Sequence, residues 1–200
     1  NDTLGNIDQI NGSIHDDLFD MTGWDNGQFT VFGRSIIGEN NAIRGGDGDD
    51  TITGNDYTRV DYGDASGGVT VTLDDAVTFG GGVTGFGKLT SNSGNLTGQF
   101  DGTGLDKFMG GVNEIAGSDY SDVLTGNADN NVLIGRGGND ILNGGSGTDR
   151  ADYRSDVAAI TVTYDVGSAF DATVNDGSGG VDDLSSIEQV RGSQFDDIFI

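Results

Sequence analysis

The stretch from Gly117 to Tyr153, GSDYSDVLTGNADNNVLIGRGGNDILNGGSGTDRADY, repeats with a period of nine residues. It divides into the segments GSDYSDVLT, GNADNNVLI, GRGGNDILN and GGSGTDRAD, each of which begins with glycine. The sixth residue of each segment is an aspartate or asparagine: Asp122, Asn131, Asp140 and Asp149. The eighth residue is apolar: Leu124, Leu133, Leu142 and Ala151. Turn-forming, acidic and apolar residues at fixed places predict one local structure formed four times in succession.

Each segment has the composition of a tight turn followed by a short strand. Glycine, asparagine and aspartate tolerate the positive φ angles of tight turns, and they dominate the first six places. The last three places, such as 123–125, suit a strand whose middle residue points inward. If two successive segments make one full coil, Asp122 lies over Asp140 and Asn131 over Asp149. Stacked carboxylates repel one another unless a cation lies between them.

The overall charge also favours cations as partners. The 200-residue chain has 33 Asp and Glu against 9 Lys and Arg, which gives a net charge of −24. Only 34% of the residues are hydrophobic and 37 are glycine, a composition typical of disorder unless something outside the chain neutralises the acids. Nucleic acid and anionic membranes are excluded as partners because both are polyanions. The chain has no cysteine for thiolate metal sites, and no apolar run approaches the roughly 18 residues of a membrane span.

An upstream segment, GGDGDDTIT from Gly45 to Thr53, matches the pattern G-G-x-G-x-D-x-U-x at every fixed position, where U is apolar. Through this segment and the four in-phase copies, the chain resembles the hemolysin-type calcium-binding (RTX) proteins. The resemblance implies a parallel β-roll that binds several Ca²⁺ ions. It also implies a piece of a large protein that is exported through a type I pathway and secreted or displayed on the cell surface of a Gram-negative bacterium. The chemistry agrees, because carboxylates and turn carbonyls can supply the six to eight oxygens, at about 2.3–2.6 Å, that Ca²⁺ prefers over Mg²⁺.

The candidate metal ligands are the sixth-position residues and the glycines of the best-matching turns. The sixth-position candidates are Asp17, Asp50, Asp122, Asn131, Asp140, Asp149 and Asp197. The glycine candidates are Gly45, Gly48, Gly135, Gly138, Gly144 and Gly147. Asp61 and Asp152, which precede Tyr62 and Tyr153, either close the last site of a roll or cap a turn. The two tyrosines are expected to fill the core.

Three positions depart from the repeat pattern. Asn41 and Asn131 stand where the pattern has aspartate, and each offers an oxygen without a charge, so we expect weaker sites there. In GNDYTRVDY, from Gly54 to Tyr62, Arg59 takes the sixth place, so this turn should bind no ion through that residue. The first roll is therefore expected to be shorter and less complete than the second.

A second, longer repeat surrounds the nine-residue one. Asp2–Phe19 aligns without gaps with Asp182–Phe199. Val60–Leu73 likewise parallels Ala151–Tyr164, and both contain a run with an apolar residue at every second position. This period of two predicts a half-buried strand of the antiparallel type.

The two repeats together divide the chain into five segments. We expect a return segment with a first, incomplete roll (1–62), a strand excursion with its return segment (63–116), and a second roll (117–153). A second excursion with its return segment (154–191) and the start of a further roll (192–200) follow. The predicted fold is all-β, with calcium-bound parallel β-roll segments and inserted β-hairpin or small-sheet excursions.

Nothing in the sequence marks a catalytic site. The single histidine, His15, rules out a histidine-rich zinc site and lies in a variable turn position. Paired carboxylates could cleave glycosides, but no pair stands out among so many acids. The acid-flanked turns Asp101–Asp106 and Asp176–Asp183 either hold further Ca²⁺ or form solvated loops. Trp24 is expected in the core rather than against a sugar.

The expected function is therefore structural and not enzymatic. We expect calcium to fold and stiffen a repeat region of an extracellular adhesin or surface-layer-like protein. The alternative is a calcium-binding accessory module of a secreted RTX enzyme, such as a protease, lipase or epimerase, whose catalytic domain lies outside these residues. The excursions are candidates to bind a surface glycan or neighbouring copies of the same protein.

Overall fold

A computed structural model describes residues 9–21, 29–31, 34–36, 41–73, 78–79, 83–84, 106–165 and 171–200. These ranges contain strands, turns and bends but no helix, which confirms the all-β prediction. It follows that no helix in these ranges is long and apolar enough to cross a membrane.

Twenty-one short strands lie in the described ranges. In chain order they are β1 (Gln9–Asn11), β2 (Leu18–Asp20), β3 (Phe29–Val31), β4 (Arg34–Ile36), β5 (Asn41–Arg44), β6 (Thr51–Thr53), β7 (Thr58–Asp61), β8 (Thr70–Thr72), β9 (Thr78–Phe79), β10 (Val83–Thr84), β11 (Lys107–Phe108), β12 (Val112–Ala116), β13 (Val123–Thr125), β14 (Val132–Ile134), β15 (Ile141–Asn143), β16 (Arg150–Asp152), β17 (Thr161–Tyr164), β18 (Ala172–Asn175), β19 (Val181–Ser185), β20 (Gln189–Arg191) and β21 (Ile198–Phe199).

Most of these strands form the two walls of a parallel roll. One seven-stranded sheet has the order β1-β5-β7-β12-β14-β16-β20, and all its pairs are parallel. The second has the order β21-β17-β18-β19-β15-β13-β8, and a three-stranded parallel sheet, β11-β6-β2, extends this side of the roll. Two separate antiparallel pairs, β3–β4 and β9–β10, complete the strands. In the second roll, Leu124 pairs with Leu142 and Leu133 with Ala151, which confirms that two segments make one coil.

The eighth-position residues form the core between the two walls. Leu124, Leu133, Leu142 and Ala151 are all fully buried. Burying a leucine side chain contributes roughly 1.5–3 kcal/mol, so the three leucines stabilise the coils from both walls, and Ala151 contributes less. The turns between the walls rely on glycine where the chain reverses. Gly138, for example, has a φ of +113°, which residues with a side chain adopt only with strain.

The structure corrects one strand prediction and supports its counterpart. The first apolar alternation does not form an antiparallel strand, because Thr70–Thr72 pairs in parallel with Val123–Thr125 as one more rung of the roll. The second does, since Thr161–Tyr164 pairs antiparallel with Ala172–Asn175, which pairs antiparallel with Val181–Ser185. A period of two indicates a half-buried strand but carries no information about the direction of its neighbour. The division of the chain into five segments stays a prediction.

Candidate metal centre

The sixth-position side chains point into the roll, away from solvent. Asp50, Asp122, Asn131, Asp140 and Asp149 are each no more than 1% exposed. Each follows a turn and directly precedes a strand, so its side chain lies on the same inner side as the apolar residue two places later. Burying an ionised carboxylate costs several kcal/mol unless hydrogen bonds and an opposite charge compensate it.

Hydrogen bonds link these side chains from one coil to the next. The backbone N–H of Asp122 donates to Oδ1 of Asp140 at 2.8 Å, and that of Asn131 donates to Oδ1 of Asp149 at 2.7 Å. In the first roll, the N–H of Asp17 donates to Oδ1 of Asp50 at 2.8 Å. The predicted stacking of sixth-position residues is therefore present. We call these stacked acidic side chains, with the residues that continue them, the carboxylate row.

Three acids that the sequence analysis did not assign to the repeat continue the carboxylate row. Asp182 accepts the N–H of Asp140 at 3.0 Å, and Asp106 accepts that of Asp50 at 3.1 Å. Glu188 accepts the N–H of Asp149 at 2.7 Å. Asp106 and Asp182 each occur in a Gly-x-Asp-x-apolar sequence, which matches the fourth, sixth and eighth places of the nonapeptide. That signal was present, but each acid lies much further along the chain from its partner than the next coil of an uninterrupted roll would.

The two tyrosines are buried against this extension, as predicted. The hydroxyl of Tyr62 donates to Asp106 at 2.9 Å, and that of Tyr153 donates to Asp182 at 3.0 Å. Both side chains belong to the core. Each therefore fills space and at the same time partners an acid that would otherwise be buried with fewer hydrogen bonds.

One oxygen of several carboxylates in the row has no hydrogen-bond partner within the described part of the chain. These atoms are Oδ2 of Asp50, Oδ2 of Asp140 and Oδ2 of Asp149, and all are buried. They lie against the first glycine of their own segment, which explains why that place holds glycine. A Cβ on Gly45 would lie 2.0 Å from Oδ2 of Asp50, and one on Gly135 would lie 2.1 Å from Oδ2 of Asp140.

Backbone carbonyl oxygens enter the same spaces. A Cβ on Gly144 would lie 2.1 Å from the carbonyl oxygen of Ser186 and 2.6 Å from Oδ2 of Asp149. A Cβ on Gly12 would likewise lie 1.8 Å from the carbonyl oxygen of Gly45 and 2.8 Å from Oδ2 of Asp17. In the same way, the carbonyl oxygen of Gly135 lies near Oδ2 of Asp122, and that of Gly144 lies near Oδ1 of Asn131. Oxygen acceptors that face one another across a glycine suit a hard cation.

The donor set fits calcium. In the described ranges, no three or more His, Cys, Asp or Glu side chains converge as a metal site. The oxygens beside these glycines are carboxylates and backbone carbonyls, and Ca²⁺ accepts such mixed oxygen shells readily. The predicted turn glycines Gly48, Gly138 and Gly147 have φ angles of +115°, +113° and +119°, so they shape the turns that present these carbonyls. The individual ligand assignments stay predictions.

Burial raises the pKa values of several acids of the row, and repulsion by neighbouring acids adds to this at Asp140, Asp106 and Asp182. Burial, followed by the charge of Asp182, raises the pKa of Asp140 to about 8. Burial also raises the pKa of Asp106 and of Asp182 to about 7, and that of Asp122 to about 6. At neutral pH the ionised row is therefore unfavourable by itself, and a cation would reverse that cost.

Asp61 and Asp152 lie in a different environment, among arginines. Asp61 contacts Arg44 at 3.1 Å and Arg136 at 2.7 Å. Burial alone would raise the pKa of Asp61, but the hydrogen bond and charge of Arg136 lower it overall. Asp152 contacts three arginines: Arg150 at 3.7 Å, Arg154 at 3.0 Å and Arg191 at 4.0 Å. Carboxylates that are already neutralised by guanidinium groups attract a cation more weakly, and the assignment of Asp61 and Asp152 as ligands or turn caps stays a prediction.

The remaining predicted positions lie at the edges of the roll or outside the described residues. Oδ1 of Asp197 accepts the N–H of Ile160 at 2.9 Å, and Oδ2 of Asp17 accepts that of Ser13 at 2.6 Å. Arg59 forms an ion pair with Glu114 at 2.7 Å, consistent with a turn that holds no ion through that residue. His15 is exposed. Trp24, the side chain of Asn41 and residues 101–105 lie outside the described part.

A comparison with protein-family models agrees with this geometry. The model of the RTX calcium-binding nonapeptide repeat matches four copies, within residues 38–56 and 116–151. This chain contains RTX repeats. The matched residues include Asp50, Asp122, Asn131, Asp140 and Asp149, but not the extension of the carboxylate row through Asp106, Asp182 and Glu188. RTX repeats bind Ca²⁺ within their nonapeptides and form a structural module rather than a catalytic one. No curated protein matches the chain.

Proposed function

We propose that this chain is a structural region of an extracellular RTX-type adhesin or surface-layer-like protein, and that calcium folds and stiffens it. The observation that carries the proposal is the buried carboxylate row with its unpartnered oxygens. A chain with a net charge of −24 places acids inside its own core, where only a cation makes them favourable. RTX repeats are typical of secreted proteins of Gram-negative bacteria, which supports an extracellular location.

Folding and stiffening follow from the position of the row between coils. Each bound ion would contact oxygens of two successive coils, because the acid of one coil lies beside a carbonyl of the next. The free energy of binding then contributes to folding, since the site does not exist in the unfolded chain. Coils that are tied at every level resist bending and separation more than coils held by short strands alone.

The longer repeat favours a repeating array, and hence the adhesin-like interpretation. β1 and β20 occupy opposite edges of the same sheet, although they belong to stretches that correspond in the longer repeat. In the first stretch, β5 and β6 cover β1 and β2, and Phe19 packs on the core. Its counterpart Phe199 is 49% exposed on an uncovered rung. Both stretches nevertheless pair in parallel with their neighbours, as units of a repeating array would.

The alternative function is an accessory module of a secreted enzyme. Exposed apolar residues in or near the inserted hairpin, by which we mean β18, β19 and the loop between them, favour it: Val157, Tyr164 and Val181. Such residues could rest against a neighbouring domain, and the module would then stabilise that domain when calcium is present.

Small-angle X-ray scattering and far-UV circular dichroism, with chelator and then with millimolar Ca²⁺, test the proposal. We expect a disordered, expanded chain in chelator and a β-rich, rigid, elongated particle in calcium. A β spectrum and a particle size that do not change under chelator would refute the structural role of calcium. Sequence beyond Ile200 then separates the two functions, since further units of the longer repeat favour an array and a catalytic domain favours an enzyme.

A further inference from the structure

The loop between β18 and β19, residues 176–180, rests directly on a turn of the second roll. A Cβ on Gly180 would lie 1.6 Å from the carbonyl oxygen of Gly138 and 3.1 Å from Oδ2 of Asp176. Gly138 is the fourth residue of the nonapeptide that contains Asp140. The tip of the inserted hairpin therefore brings a carboxylate of its own, from outside the repeat frame, to a carbonyl of the roll.

Asp176 is buried in that contact with half of its carboxylate unmatched. The residue is only 4% exposed. Its Oδ1 accepts the N–H groups of Ser178 and Gly180, which is the hydrogen bonding of an ordinary turn. Its Oδ2 is buried and has no hydrogen-bond partner in the structure as described. The turn thus accounts for one oxygen and leaves the second unpartnered beside Gly180, which also lies against the carbonyl oxygen of Gly138.

The surroundings of Asp176 contain further acids and no cationic side chain that contacts it among the described residues. Its carboxylate lies close enough to Asp140, Asp156 and Asp182 for its charge to act on each of them. All three are buried, and Asp156 accepts the N–H of Gly177 in the same loop at 3.2 Å. An oxygen-rich, donor-poor space of this kind is the environment that a hard divalent cation compensates.

We propose that Oδ2 of Asp176 and the carbonyl oxygen of Gly138 are ligands of a Ca²⁺ ion that fastens the inserted hairpin to the roll. The choice of calcium rests on the proposed calcium-dependent function of the roll. The site differs from those of the nonapeptides, because Asp176 lies outside the matched residues and in none of their sixth places. Calcium would therefore fold the coils and also hold the loop between β18 and β19 against them.

Asp176→Asn is the first test, and Asp171→Asn is its matched control. Asparagine can keep the two hydrogen bonds of Oδ1 while removing the charge at Oδ2. Asp171 is an exposed acid of the same hairpin whose carboxylate also accepts a backbone N–H, from Ser186 at 2.6 Å. Calcium bound per chain is measured by equilibrium dialysis, and protection of the amides of 177–181 by hydrogen exchange. We expect Asp176→Asn to bind one ion fewer, or one ion at least tenfold more weakly, and to lose calcium-dependent protection of the loop.

Gly180→Ala provides a second variant that leaves the charge unchanged. Its Cβ would collide with the Gly138 carbonyl, so the loop should move away and the same ion should be lost. Unchanged calcium binding in both variants, beside a calcium-binding parent chain, overturns this site alone. An equal loss in Asp171→Asn also overturns it, because the effect would then follow overall charge. A parent chain that binds no calcium overturns the proposed function as well.

Discussion

Replacing Asp140 by asparagine should have opposite effects on stability with and without calcium. Oδ1 of Asp140 accepts the N–H of Asp122, and asparagine can keep that hydrogen bond. What it removes is the buried, unpartnered charge at Oδ2. In chelator the variant should be more stable than the parent by an amount on the order of a few kcal/mol, because burial raises the pKa of Asp140 to about 8 and each pKa unit corresponds to about 1.4 kcal/mol.

In calcium, the same variant should lose the contribution of one ion. A binding site stabilises the folded state by RT ln(1 + [L]/Kd). Extracellular calcium modules have dissociation constants of about 10⁻⁴–10⁻³ M, so about 10 mM Ca²⁺ adds about 1.4–2.7 kcal/mol for each site. We therefore expect the increase in stability on adding calcium to be smaller by about this amount in Asp140→Asn.

Urea unfolding at fixed pH measures both quantities, with the chelator samples held folded by an osmolyte such as trimethylamine N-oxide. Asn131→Asp is the reciprocal control, since it introduces a carboxylate at an equivalent place above Asp149. It should be destabilising in chelator and should increase the stabilisation by calcium. Destabilisation by Asp140→Asn in chelator, together with an unchanged calcium increment, would refute the assignment of Asp140 as a ligand.

Three further outcomes follow from the same geometry. Acid should partly replace calcium, because the pKa is raised to about 8 for Asp140 and to about 7 for Asp182. The stability that these shifts contribute is present below about pH 4 and is lost as the pH rises through 7 to 8. Circular dichroism in chelator should therefore show more β structure at pH 5 than at pH 8. Gly135→Ala should raise the calcium midpoint of folding by at least threefold, because its Cβ would lie 2.1 Å from Oδ2 of Asp140. Gly137→Ala, whose Cβ would have its nearest neighbour at 3.5 Å, should have little effect. Equal midpoints in the two variants would contradict a binding site beside Gly135. The melting temperature should rise strongly with millimolar Ca²⁺ and weakly with the same concentration of Mg²⁺. The calcium-loaded chain should turn over no polysaccharide, ester or peptide substrate. Turnover that is lost on mutating an acid outside the nonapeptides would place the chain among enzymes.

The nine-residue period and the family resemblance that it carries were enough to predict the roll, because each pair of segments contains everything that one coil needs. A turn glycine, a sixth-position acid and an inward apolar residue recur at the same spacing, so the register of Leu124 with Leu142 follows from counting. Whether the strand Thr70–Thr72 runs parallel or antiparallel to its neighbour could not be derived from the nine-residue spacing. Its partner Val123–Thr125 is reached only after a long excursion, and its apolar alternation fits either direction.

The candidate site was predictable to the extent that it is local. Asp50, Asp122, Asp140 and Asp149 lie where the pattern predicts, and all are buried in the carboxylate row. The surroundings of Asp61 were not predictable, because Arg136, which neutralises it, lies far along the chain in the second roll. The sequence marks Asp106 and Asp182 only as acids in or beside glycine-rich turns. Their membership in the carboxylate row depends on how the chain returns from its excursions.

The two-segment coil has a mechanical consequence. One coil lengthens the stack by a single strand spacing, about 4.8 Å, whereas the same two segments pulled straight span about 60 Å. Each coil that opens under tension therefore releases about 55 Å of tether, and under the proposed function the ions between coils would set the force at which release begins. A cell-surface fibre built this way would be short and stiff at rest and would yield in discrete steps when pulled, at lower force wherever calcium is scarce.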